Sequence, residues 1–227
     1  MKNRIRFISA FCLAAAFAAA QKDPVSRMNA AAGVFTDIMS TADKAIPQDL
    51  LDKSACVVIV PSLKKGALII GAKYGKGFIT CRPEKRVGWS APGAVRVEGG
   101  SLGFQIGGAE TDVIMLVLNK GGVNRLLGSR FTLGGDVSVA AGPVGRDASA
   151  QTDARLTAQI LTYSRQRGVF AGVSLQGATL REDDDWNKQL YGREMHNKDI
   201  VLGDTTPPAG FSKLLAALNK YSSRQGR

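Results

Sequence analysis

Ala55-Cys56-Val57-Val58-Ile59-Val60 is an unbroken apolar run in which four of six residues are β-branched. No polar residue alternates through it, so it reads as a strand buried on both faces rather than one wetted on one side. Outward from it, toward the C-terminus, residues 61–66 read as a basic turn and 67–74 as the next strand. Gly75-Lys76-Gly77 then turns the chain into 78–82. A charged loop at 83–86 leads to Trp89-Ser90-Ala91-Pro92. Residues 94–106, 112–119, 131–141, 156–164 and 169–180 are further strand candidates, with a short helix over 121–127 and a tight connection at 165–168.

In the other direction the pattern becomes helical. Residues 47–53 read as a short helix opened by Pro47. Residues 24–45 read as an amphipathic helix with Val34, Ile38 and Met39 on one stripe, beside Phe35 and Ala42. The end of the chain is helical again, over 183–191 and 210–221, with a basic tail after Tyr221. Most of the 26 glycines fall between residues 66 and 177, and glycine weakens a strand unless a bend, bulge or close approach needs it. The expectation is therefore an α+β fold: a strongly curved, Gly-rich antiparallel β-barrel or folded sandwich of about seven or eight strands, with an N-terminal helix and C-terminal helices.

Lys2, Arg4 and Arg6 precede an apolar run over residues 7–20, which closes on Ala18-Ala19-Ala20 before Gln21-Lys22-Asp23. That reads as a secretory signal peptide at 1–20. The run is shorter than the ~20 residues that span a bilayer, and Phe11 stands where a lipobox around Cys12 wants a small residue. Residues 21–227 then form a single domain, placed in the periplasm or secreted, peripheral to a membrane. The formal charge is +11; without the three cations of the leader it is +8. Such an excess favours an anionic partner, and export argues against nucleic acid. Cys56 and Cys81 remain after the leader. With 67–74 read as a strand between theirs, the two would stand about 9–10 Å apart, beyond the ~7 Å reach of a disulfide. Buried free thiols are the favoured expectation.

Catalytic patterns are missing. His196 is the one histidine and sits in a polar segment; no G-x-S-x-G elbow occurs. Cys56, Cys81 and His196 lack the pair spacing of a zinc site, so no metal or other cofactor is expected. Ser62-Leu63-Lys64-Lys65 matches S-x-x-K without its partner motifs. Residues 71–77 fail the phosphate-loop spacing, and Glu182-Asp183-Asp184-Asp185 lacks the alternation of a calcium loop. The chain is expected not to be an enzyme.

Eight cations (Lys53, Lys64, Lys65, Lys73, Lys76, Arg82, Lys85, Arg86) stand against Glu84 alone between residues 53 and 86. If the strands form a meander, the Lys64-Lys65 and Lys85-Arg86 turns share one end of the sheet and Lys76 lies at the other. Each basic side chain near an anionic bilayer contributes about 1 kcal/mol, enough together for reversible, salt-sensitive docking. A merely solvated basic surface accounts for the charge equally well.

The order of motifs adds a resemblance. Residues 59–66 (Ile-Val-Pro-Ser-Leu-Lys-Lys-Gly), 71–77, 88–92 (Gly-Trp-Ser-Ala-Pro), 99–108, Thr111-Asp112, 134–146, Tyr163-Ser164-Arg165, 168–174 and Tyr191-Gly192 together resemble the SYLF family over about residues 30–195. The resemblance implies lipid binding without catalysis. Eukaryotic members join this domain to Src-homology or FYVE modules and bind phosphoinositides, and in yeast also actin. Bacterial members are typically stand-alone domains behind a signal peptide. In a bacterial envelope the ligand implied is phosphatidylglycerol, cardiolipin or lipid A phosphate. In eukaryotic members the lipid site is associated with the N-terminal amphipathic part, but here residues 27–44 balance Arg27 and Lys44 against Asp37 and Asp43.

The expected headgroup contacts are therefore Lys64, Lys65, Lys85 and Arg86, with Lys73 and Lys76 as further candidates. Trp89 is read in two ways, as a membrane-interface anchor or, more readily, as a core residue held by the Trp-Ser-Ala-Pro turn. Partners are anionic phospholipids or a membrane surface. The alternatives are a carrier holding an acyl chain in an internal cavity, and an envelope module that binds a protein partner.

Overall fold

The computed structural model describes residues 23–41, 46–67, 70–83, 87–102, 107–128, 131–133, 139–142, 158–166, 169–170, 175 and 177–222. The expected leader, Lys85 and Arg86 lie outside them. The elements are α1 (Pro24–Ser40), α2 (Gln48–Lys53), β1 (Cys56–Ala67), β2 (Ile70–Cys81), β3 (Gly93–Leu102), β4 (Gly107–Val117), α3 (Lys120–Leu126), β5 (Phe131–Leu133), β6 (Val139–Ala141), β7 (Ile160–Gln166), β8 (Val169–Phe170), β9 (Ala178–Glu182), α4 (Asp184–Tyr191), α5 (Asn197–Leu202) and α6 (Ser212–Ser222).

The strands form one nine-stranded sheet in the order β5-β9-β3-β2-β1-β4-β7-β6, with β8 beside β7. Every pairing is antiparallel except β6 with β7. Eight strands laid flat would hold the outer two about 34 Å apart at ~4.8 Å per step. Yet Leu133 ends β5 on one edge and Val139 begins β6 on the other. Six residues reach at most about 22 Å, so the sheet has to curl toward closure. The expected strand over 131–141 is thus two short strands on opposite edges.

The curl separates two cores. Cys56, Val58, Val60, Leu63, Ile79, Val97, Val113, Met115, Leu133 and Leu180 fill the concave side. Val57, Ile59, Phe78, Ile114, Leu116 and Tyr163 face outward under α1, α2, α4 and α6, meeting Phe35, Leu51, Trp186 and Leu214. β1 is buried on both faces because it carries both cores. The apolar stripe of α1 (Met28, Ala31, Phe35, Ile38) is wholly buried. Arg27 donates to the Pro61 carbonyl, and Arg165 bridges Asp37 on α1 to Asp112 on β4 at 3.2 Å each, which ties the helix to the sheet. Among the described residues no helix is long and apolar enough to cross a membrane.

Two expectations are corrected. The stretches 67–74 and 78–82 are not separate strands. They are one strand, β2, because Gly75 and Gly77 serve close packing and not a turn: a Cβ on Gly77 would overlap the Ile59 carbonyl oxygen. With no strand intervening, Cys56 and Cys81 are direct register partners. They form a disulfide across Cα atoms 3.9 Å apart, in place of the free thiols expected.

Candidate functional site

The basic segment lies on the β1–β2 hairpin, where a bulge decides which way each lysine points. From Ile59 to Lys64 β1 advances five residues while β2, from Phe78 to Tyr74, advances four. The same extra residue shows against β4, where Val60 pairs Val113 and Leu63 pairs Thr111. Ser62 sits at the bulge with φ 48°, its N–H donating to Asp112 Oδ1 at 3.0 Å. Val60 and Leu63 both face the concave core, so parity is reversed beyond the bulge. Lys64 therefore points out and Lys65 in.

Lys64 is exposed, 4.0 Å from Glu110 across β4, with the exposed Tyr74 as its β2 partner. Lys65 is half-buried and pairs in register with Lys73. Lys73 lies on the same inner face, at 8% exposure. Burial, and after it the neighbouring Lys73 charge, pushes the Lys65 ammonium below its ordinary value. Lys76 points outward but is covered: its Nζ lies 2.8 Å from Asp183 Oδ2 and 4.5 Å from the centre of the Trp186 ring. Asp183 also accepts from the Trp186 N–H at the start of α4. This pair is buried on both sides and offers no ammonium to a headgroup.

The expected grouping of basic turns is also corrected. Lys64 and Lys65 lie within β1, and Lys76 within β2. The loop carrying 85–86 leaves from the other end of the hairpin, where Arg82 N–H donates to Ala55 O. Eight residues of β1 separate Lys64 from Cys56, roughly 25 Å. Glycine and lysine look like turn residues locally; the neighbouring strands hold them extended. Beside that loop Val87 is 61% exposed, an apolar side chain next to the Lys85-Arg86 pair in sequence. Trp89 is 6% exposed, with the Arg82 guanidinium 4.1 Å from its ring centre, so it is a core residue.

The acidic end forms a second cluster that sequence spacing did not connect. Glu182, Asp184 and His196 bring one ligand atom each within 4.8 Å of the others. Hydrogen bonds occupy both Glu182 oxygens: His196 Nδ1 lies 3.0 Å from one, and the Asn197 N–H donates to the other at 2.9 Å. Glu182 therefore caps α5, which His196 itself does not cap. The hydrogen bond and charge of Glu182 raise the pKa of the exposed His196. Its ring is engaged by a carboxylate, and no described hydroxyl or thiol adjoins it as a nucleophile would. Tyr74, exposed beside Lys64, was not singled out by sequence reasoning because residues 75–77 after it read as a turn.

Comparison with known proteins agrees with the motif order. Residues 98–221, more than half the chain, match the family model described as "Ysc84: Las17-binding protein actin regulator". The chain is 34% identical over 194 residues to human "SH3 domain-containing YSC84-like protein 1", covering 84% of this chain and 56% of that protein. It is 39% identical over 182 residues to the fission-yeast "SH3 domain-containing protein PJ696.02", 78% of this chain and 42% of the relative. It is 36% identical over 182 residues to budding-yeast "LAS seventeen-binding protein 3", 78% and 39%. The chain thus spans about half the length of the curated relatives it matches.

Proposed function

This chain belongs to the Ysc84 (SYLF) family, and from that premise we propose that it is a non-enzymatic module docking on anionic phospholipid surfaces. The observation that carries the reading is the uneven charge of the hairpin segment, eight cations against one acid between residues 53 and 86. Lys64 beside exposed Tyr74, and Lys85-Arg86 adjoining exposed Val87 in sequence, each combine cations with an insertable side chain. The N-terminal helix is a poor membrane anchor because its apolar face is already buried. Removal of residues 1–20 as a signal peptide belongs to the same proposal. The Cys56–Cys81 disulfide supports an oxidising compartment, periplasmic or secreted, for the remaining single domain.

A protein partner is a second reading, favoured by one observation: a budding-yeast relative is named for binding LAS seventeen. The carrier reading loses ground where the concave core is filled by Val58, Val60, Ile79 and Met115.

Co-sedimentation with phosphatidylglycerol and phosphatidylcholine vesicles at low and high salt tests the docking reading. Lys64→Ala/Lys85→Ala/Arg86→Ala should lose most of a salt-sensitive, anion-selective binding. Absence of wild-type binding to either vesicle would leave the protein-partner reading in its place.

A further inference from the structure

We propose that the uncovered outer rim of the curled sheet, centred on Tyr74 between Lys64 and Arg27, is the surface that meets an anionic bilayer. The helix layer on the outer face ends just before it. Lys76, two residues along β2, lies under Asp183 and Trp186 at 7% exposure, whereas Tyr74 is 40% exposed. Tyr74 stands in one outward row with Glu110, Lys64, Glu98, Thr179 and Thr132, on six adjacent strands. The next outward positions toward the mouth are Gly66, Ala72 and Gly100, all exposed. A Cβ added to Gly66 would meet nothing within 4 Å. The Tyr74 ring therefore projects above a border of small residues.

Two cations flank the ring. Lys64 is its direct β1 partner and meets the exposed Glu110 at 4.0 Å, a contact worth little in water. Arg27 reaches the same patch from the first turns of α1. It donates to the Pro61 carbonyl at 2.9 Å, and its ionisable neighbours are Glu110 and Tyr74. Its buried Nε has no hydrogen-bond partner among the described residues. A guanidinium with donors to spare beside an exposed phenol suits a lipid phosphate, at the level where tyrosine rings sit in a bilayer. Glu98 is taken up by Arg96 at 3.1 Å and Arg181 at 2.5 Å. The patch thus holds four cations (Arg27, Lys64, Arg96, Arg181) against two carboxylates.

This rests on the docking reading and narrows it to one end of the molecule. The Arg82 end of the hairpin stands roughly 25 Å from Lys64, beyond the ~10 Å over which charges act at about 0.1 M salt. Lying flat would bring both ends to the bilayer, but helices cover the outer face of the sealed half. There α1 turns Asn29, Gly33 and Asp37 to solvent, which are neither basic nor apolar. The rim is then the point of contact, with the sealed half held away from the membrane.

The test places a reporter at each end. Tyr74→Trp and Val87→Trp, in the full chain, are mixed with phosphatidylglycerol vesicles containing brominated phosphatidylcholine. Trp89 and Trp186 are buried and supply a common background. Tyr74→Trp emission should shift to the blue and be quenched on binding, while Val87→Trp behaves as the parent protein does. Tyr74→Ser and Lys64→Gln should each weaken vesicle binding about fivefold with unchanged thermal midpoints. Arg27→Gln should weaken it similarly, and Arg27→Lys should retain most of the affinity. Lys85→Gln/Arg86→Gln should change it less than twofold. Quenching at Val87→Trp, alone or together with Tyr74→Trp, would overturn the rim as the point of contact and leave docking itself standing. Wild-type binding that the Tyr74 and Lys64 substitutions leave unchanged overturns the rim equally. No wild-type binding to these vesicles overturns both the rim and the docking reading.

Discussion

The two halves of the β1–β2 hairpin use the same strands to opposite ends. From Cys56/Cys81 to Ile59/Phe78 the hairpin is apolar, disulfide-linked and buried on both faces. Past the bulge at Ser62 it carries Lys64, Lys65, Lys73 and Tyr74. The first half seals the concave core; the second lines its mouth. The difference teaches that charge is placed where the curled sheet opens, and that the sealed half supplies the rigidity to hold it there.

The largest expected effect breaks the sealed half. Cys56→Ala/Cys81→Ala frees a loop of sequence separation 25, and the loss of denatured-state constraint amounts to about 3.5 kcal/mol. A denaturant midpoint unchanged by these substitutions, or by reduction, would mean that packing alone holds this end.

Next come two glycines, one bordering the sealed half and one in the open half. Gly77→Ala drives a methyl into the Ile59 carbonyl and the Val60 backbone, with an expected cost of about 1–3 kcal/mol. Gly66 has nothing within 4 Å of an added Cβ, so Gly66→Ala should stay within about 0.5 kcal/mol. Equal effects on the two thermal midpoints would erase the contrast between a tight half and an open one.

The smallest effect is at Lys65. Its folded pKa lies below the ordinary 10.5 through burial and the Lys73 charge. Folding therefore disfavours its protonated form, and the cost is fully present below the folded pKa. It disappears as pH rises from that value toward the unfolded one. Lys65→Met should thus raise stability at pH 7, by about 0.3 kcal/mol because the ammonium stays partly hydrated. That gain should fade as pH approaches 10.5.

Much of the fold was legible locally. The β-branched run at 55–60, the helical stripe of Val34 and Ile38, and the Asp183 start of α4 each stand where the pattern placed them. α5 was missed because only Ile200, Val201 and Leu202 mark it in a polar stretch, and its cap comes from Glu182 on another element. The candidate site was legible as a basic segment and not as a geometry. Lys85 and Arg86, outside the described residues, were grouped with Lys64 and Lys65, although Arg82, which precedes them, stands at the hairpin's other end.

The sequence by itself determined the apolar strands, the flanking helices, the charge of the hairpin and the motif order that places the chain in its family. These follow from side-chain size, branching and charge, which act over a few residues. Only the tertiary structure decided the Cys56–Cys81 bond, the covering of Lys76 by Asp183 and Trp186 more than a hundred residues away, and the inward turn of Lys65. The physical reason is register. Simple alternation from Val58 and Val60 would have put Lys64 inside and Lys65 out, and one extra residue in β1, held by Asp112 of β4, reverses them.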